Sequence, residues 1–168
     1  KFIWKNSDLL GINRNLVTVM GHSAGGHITQ MMMGTNWPAL SSDLPTDLIK
    51  AGVPISPLSL LEPVRLTEVL NAGIGMDAAE AESESPMINH PPCTDAPQLV
   101  VVGGDETEEF HRQANMYVDA FRTRARLIEM YQVPGVDHFD ELNTLAEKSS
   151  EFFSKTIRLI HLTENLRN

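Results

Sequence analysis

One cysteine, Cys93, is all the sequence offers. That excludes a disulfide framework and a multi-cysteine metal site, and it suits a reducing, cytoplasmic compartment. No apolar run approaches the roughly 18 residues that a membrane span needs, and the first residues lack the charged-then-apolar layout of a signal peptide. Positive charge is also scarce. Thirteen Lys and Arg stand against 22 Asp and Glu, a net charge of −9. That balance repels phosphate backbones and anionic lipid, so neither nucleic acid nor a membrane is an expected partner. No His-x-x-x-His or Cys-x-x-Cys pair is present, and the histidines lack ligand spacing, so neither a metal nor another cofactor is expected.

What remains is an ordinary globular composition. With 168 residues and 42% apolar side chains, the chain fits one domain and can bury about 70% of its unfolded surface. The chain opens on Lys1 rather than Met, and Lys1 to Leu10 reads like the end of a helix. Phe2, Ile3, Leu9 and Leu10 share roughly one face, and Gly11 follows as a stop. The expectation is a chain that begins inside a domain, so that residues 1–168 form a single but partial domain.

Turn-rich stretches at Pro38 to Pro45, Pro86 to Pro97 and Pro134-Gly135 divide the sequence into short apolar runs and longer helical patterns. The apolar runs Leu16 to Met20, Ala51 to Ile55, Gln98 to Val102 and Arg126 to Val133 are predicted strands, rich in the β-branched residues that strands favour. Helical patterns cover His22 to Met33, Leu58 to Leu70, Phe110 to Arg124 and Glu141 to Thr163. Such alternation predicts an α/β fold: a mostly parallel sheet with helices on both faces. In these sheets chemistry sits just beyond the carboxyl ends of the strands. The acidic stretch Asp77, Glu80, Glu82 and Glu84 is read as a solvated loop or short helix.

Directly after the first predicted strand stands Gly21-His-Ser-Ala-Gly25, a G-x-S-x-G motif. A strand that turns sharply into a helix here holds Ser23 at the tip in a strained conformation. Gly21 and Gly25 then spare the turn two colliding side chains, and the backbone N–H of Ala24 points towards a developing oxyanion. A serine hydroxyl needs a base, and the base needs an orienting acid. His138 follows the fourth predicted strand, and the acids Asp105, Glu106, Glu108 and Glu109 follow the third, so the order is serine, acid, histidine. His138 is the candidate base. Asp105 and Glu106 are equal candidates for the acid on these grounds, with the other carboxylates expected in the first turn of the next helix. His22 could line the pocket, although an elbow neighbour is expected to point away from the base. His90, His111 and His161 are expected to be exposed or structural, and Cys93 structural or incidental.

The elbow Gly-His-Ser-Ala-Gly-Gly-His-Ile, the stretch from Ile55-Ser56 to Leu61-Glu62-Pro63, the pair Ser85-Pro86 and the segment Glu109-Phe-His-Arg-Gln113 occur in this order. Together they resemble the kynurenine formamidases (arylformamidases), α/β-hydrolases of the esterase/lipase type, from Asn15 to about Phe153. The elbow is generic to the superfamily, whereas the Leu-Glu-Pro and Glu-Phe-His-Arg-Gln segments are more particular. The resemblance implies an α/β-hydrolase fold and a serine hydrolase that converts N-formyl-L-kynurenine to L-kynurenine and formate. It places the acid four residues before Phe110, at Glu106, where the family usually has Asp. Relatives often cleave short-chain aryl esters, so a carboxylesterase is the alternative, and a non-catalytic binding protein of the same fold is the rival from another class.

The family is longer and carries an upstream His-Gly-Gly segment that completes the oxyanion hole. The resemblance therefore implies that the first strands lie outside these residues. A lost hole donor costs turnover about 10²–10³-fold, so the chain alone is expected to be weakly active or inactive. An uncovered first strand would favour aggregation or a homodimer.

Overall fold

A computed structural model describes residues 1–165. Four strands form one sheet in the order β1-β2-β3-β4, with every neighbouring pair parallel. They are β1 (Thr18–His22), β2 (Ala51–Ile55), β3 (Gln98–Gly103) and β4 (Ile128–Val133). The two central strands are buried along their whole length, which is why they read as unbroken apolar runs rather than as alternating ones. Residues sort by parity onto two faces. Ala51, Val53, Ile55, Leu99 and Val101 pack with Phe152 and Leu159, whereas Val100 and Val102 pack with Ala114, Tyr117, Val118 and Phe121.

Two long helices supply those partners. Helix α1 (Glu108–Phe121) buries Ala114, Tyr117, Val118 and Phe121, the i, i+3, i+4, i+7 stripe of an amphipathic helix. Glu108 and Glu109 occupy its first turn, where the helix dipole favours them. Helix α2 (Glu151–Asn165) covers the opposite face through Phe152 and Leu159. A third, α3 (Ala24–Met33), follows β1 directly and sets Met33 against Gly52 of β2, where a Cβ would meet its sulfur at 2.9 Å. The expected parallel sheet with helices on both faces is present.

Several boundaries differ from the sequence reading. Leu16 belongs to a 3₁₀ turn, Arg14–Leu16, initiated by Asn13, whose side chain accepts from the N–H of Asn15, so β1 starts two residues later. The pattern Leu58 to Leu70 is broken. Helices Glu62–Leu66 and Glu68–Ile74 are separated by Thr67, whose extended backbone leaves its hydroxyl on the Pro63 carbonyl, 2.8 Å away. The final pattern also splits, into α4 (Asp140–Ala146) and α2, with Ser150 accepting from the N–H of Phe153 at 3.0 Å as a helix cap. The acidic stretch is a short helix, Ala78–Ser83, with a capping box between Asp77 and Glu80. At the N-terminus, Phe2, Ile3, Leu9 and Leu10 lie in two one-turn helices and are exposed. Gly11 ends the second with φ 64°. No helix among the described residues is long and apolar enough to cross a membrane.

Candidate active site

Each strand ends by delivering one polar side chain to the same edge of the sheet. Ser23 follows β1, Ser56 follows β2, Glu106 follows β3 by three residues, and His138 lies beyond β4. Ser23 and Ser56 are the two described non-glycine residues with positive φ, at 58° and 42°. Both are held there by the ladder. The Ser23 N–H donates to Ile55 O at 2.8 Å, and the Ser56 N–H donates to Val101 O at 2.7 Å. Such conformations cost about 1–3 kcal/mol each and cluster at functional sites.

The elbow closes on a single contact. A Cβ on Gly21 would lie 2.3 Å from the carbonyl oxygen of Gly25, whereas a Cβ on Gly25 would meet nothing within 4 Å. The expectation that both glycines avoid side-chain collisions is therefore corrected. Gly21 must be bare because the backbone at Gly25 presses on it. Gly26 is the second tight position, since a Cβ there would meet Ile55 O at 2.6 Å.

His138 Nε2 lies 3.0 Å from Ser23 Oγ, and His138 Nδ1 lies 3.1 Å from Glu106 Oε2. Of the two candidate acids, the structure brings Glu106 to the histidine. Its side chain is 1% exposed, and its other oxygen accepts from the Gly103 N–H at 2.8 Å and from the Ser56 hydroxyl. Asp105 is exposed, and its backbone N–H donates to Val136 O at 2.9 Å. Ala24 opens α3, so its N–H belongs to the first helical turn, whose donors have no partner inside the helix.

His138 is held from several sides. Asp137 Oδ1 accepts from the N–H groups of Phe139 and Asp140 at 2.9 and 3.0 Å, a turn that aims His138 and opens α4. Those backbone donors hold the Asp137 carboxyl below its ordinary range. The His138 ring lies 4.7 Å from Phe110 and 4.4 Å from His22, centroid to centroid. His22 corrects the expectation that it points away: its Nε2 is 2.7 Å from the His138 carbonyl oxygen. A carbonyl only accepts, so His22 carries its proton on Nε2. Burial lowers the His22 pKa, which keeps the ring neutral beside His138.

Two buried side chains were not foreseen as parts of the site. Ser56, fully buried, could have been suspected from its place immediately after a buried strand. Glu141, on the first turn of α4, has a side chain that is 0% exposed, with Oε1 3.1 Å from His22 Nε2. Nothing in the sequence separates it from a solvated helix carboxylate. His22, His138 and Glu141 offer ligand atoms within 4.8 Å of one another. Both His138 nitrogens are already engaged by Ser23 and Glu106, so a cation there would have to displace one of them.

The other histidines lie apart from this cluster. His27 and His90 bond the Glu84 and Ser83 carbonyls through Nε2 at 2.8 and 3.0 Å, and His161 pairs with Glu164 at 2.7 Å. Cys93 is exposed and donates to the Gly34 carbonyl. Beside Phe110, a cavity of about 200 Å³ is lined by Leu58, Pro63, Val64, Leu70 and Phe110, with Thr67, Thr107, Glu109 and Gln113 completing its wall.

A candidate thioesterase from Silicibacter is 31% identical and superposes with a TM-score of 0.68, covering 89% of this chain and 53% of that one. An esterase from Pyrobaculum calidifontis reaches the same TM-score, 0.68, at 19% identity, covering 98% and 57%. The chain has the α/β-hydrolase fold. Among curated proteins, the chain is similar to the kynurenine formamidase of Salmo salar, 28% identical over 132 residues. The match takes in 76% of the chain and spans 44% of that relative's length. No protein-family model matches the chain.

Proposed function

We propose that this α/β-hydrolase chain carries the reacting groups of a serine hydrolase that cleaves an aryl formamide, N-formyl-L-kynurenine to L-kynurenine and formate. The observation that carries the proposal is the unbroken series Ser23 Oγ, His138 and Glu106, with steps of 3.0 and 3.1 Å. Ser23 attacks the formyl carbon and passes its proton to His138 Nε2. The carbonyl oxygen takes up the negative charge, and the Ala24 N–H is one donor to it. His138 returns the proton to the aniline nitrogen, the C–N bond breaks and kynurenine departs. A water that gives a proton to His138 then attacks the formyl-serine, and His138 passes that proton to Ser23 Oγ as the acyl bond breaks and formate leaves. Glu106 holds the imidazole in the required tautomer throughout.

The similarity to a kynurenine formamidase supports the formamide reading, and the apolar cavity beside Phe110 is where we place the aryl ring. The esterase of like fold supports a second reading, a short-chain carboxylesterase. Turnover of N-formyl-L-kynurenine beside p-nitrophenyl acetate separates the two. Formamide turnover abolished by Ser23→Ala is expected, and ester turnover without formamide turnover would replace the first reading by the second.

A further inference from the structure

Behind Glu106 lies a buried arrangement that the triad mechanism leaves unused. The single hydroxyl proton of Ser56 faces two carboxylates. Oγ contacts Glu106 Oε1 and lies 2.7 Å from Glu141 Oε1. A hydroxyl donates once, so two ionised carboxylates here would leave one lone pair pressed against another. One of them must hold a proton. Glu106 is furnished as an anion, accepting from the Gly103 N–H and the Ser56 hydroxyl and facing the His138 ring nitrogen. Glu141 is furnished as an acid. Its side chain is fully buried, and its Oε2 has no hydrogen-bond partner among the described residues. His22 Nε2, 3.1 Å from Oε1, gives its one proton to the nearer His138 carbonyl at 2.7 Å, so the surrounding penalises charge.

We propose that Glu141 is a positioning residue that stays a neutral carboxylic acid, donating to Ser56 so that Ser56 donates to Glu106, and that its ionisation disarms the base. The relay runs Glu141 to Ser56 to Glu106 to His138. When Glu141 loses its proton, the carboxylate competes for the Ser56 hydroxyl. Glu106 then loses a donor, gains a negative neighbour and no longer holds His138 in one tautomer and orientation. No bond other than hydrogen bonds changes, and the proton released goes to solvent.

The surroundings agree with the geometry. Burial pushes the Glu141 carboxyl up to about 8, and the charges of Glu106 and Asp137 add to the rise. The titratable groups that face it are His22 at the end of β1, Glu106 after β3, and Asp137 and His138 after β4. His22 is itself held neutral by burial. Helix α2, packed against α4, carries Glu151 and Lys155, which pair with each other at 3.7 Å, and Lys155 reaches Glu129 at 2.6 Å.

The inference rests on the serine-hydrolase reading, and the test keeps the two apart. The rate of fluorophosphonate labelling of Ser23 is measured from pH 5 to 10 in the wild type, Glu141→Gln and Ser56→Gly. Wild type is expected to lose about tenfold of its maximal rate by one pH unit above the ionisation of Glu141. Glu141→Gln keeps a donor towards Ser56 but cannot ionise, so its rate is expected to hold through that range. Ser56→Gly suits the positive φ and cuts the relay. Its rate is expected to be lower throughout, with the alkaline fall gone. A purely structural role for either residue would lower the rate without changing the shape of the profile. An alkaline fall that survives in Glu141→Gln with Ser23 still labelled overturns this inference alone. A Ser23 that is unreactive at every pH overturns the hydrolase reading along with it.

Discussion

His22, the residue immediately before Ser23, donates from Nε2 to the backbone carbonyl of His138 at 2.7 Å. The strand that leads into Ser23 thus also ties down the loop that carries His138. The two imidazoles lie 4.4 Å apart, and burial keeps His22 uncharged, so the contact brings no repulsion when His138 takes up a proton. His22→Ala is expected to slow fluorophosphonate labelling of Ser23 about 10-fold, against the roughly 10²-fold that a 1 Å misplacement costs. An unchanged rate would show that the loop holds His138 without this tie.

The placement of the acids makes a sharper prediction. Glu106→Gln leaves the size of the side chain and removes its charge, and loss of the tautomer lock costs about 10⁴-fold in the serine protease case. A loss of about 10³-fold or more in turnover is expected. Asp105→Asn, on an exposed side chain, is expected to change turnover less than about twofold, since surface changes away from special features have small effects. Reversed effects in a kcat comparison would move the acid to Asp105.

Glu141 also has a signature in stability. In the unfolded chain it ionises near 4.5, and in the folded chain at about 8. Between those values the folded state binds the extra proton, so the stability due to this group is complete below about 4.5 and is lost as pH rises to about 8. Glu141→Gln removes that loss. Its Tm advantage over the wild type is expected to grow from pH 5 to pH 8, by an amount corresponding to a few kcal/mol, at about 1.36 kcal/mol for each pH unit that separates the two ionisations. A gap that stays constant with pH would contradict a proton held on Glu141.

The elbow predicts an asymmetry between its two glycines. Gly21→Ala sets a Cβ 2.3 Å from a backbone oxygen and is expected to cost about 1–3 kcal/mol as overpacking does, with labelling of Ser23 lost. Gly25→Ala meets open space on a helix, where Ala is favoured over Gly by about 1 kcal/mol. Thermal unfolding of the two variants is the check.

Much of this was legible in the sequence because buried parallel strands write themselves as apolar runs. Ala51 to Ile55 matches its strand end for end, and Gln98 to Val102 falls one residue short of β3. The ends of helices were less legible. Thr67 and Ser150 break two periodic patterns through hydrogen bonds of their own side chains, which periodicity does not register. The order of serine, acid and histidine could be read because each stands just after a strand. Spacing could not separate Asp105 from Glu106, since the choice depends on which side chain the turn after Gly103 aims inward; Glu106 folds back to accept from the Gly103 N–H itself. Ser56 and Glu141 meet across 85 residues, and no local pattern encodes such a meeting.

The most direct test of the account is to treat the chain with a fluorophosphonate and locate the adduct by peptide mass spectrometry. The account predicts a single fast adduct on Ser23 that slows by orders of magnitude in His138→Ala. No adduct, or an adduct on Ser23 formed as quickly without His138, would contradict it.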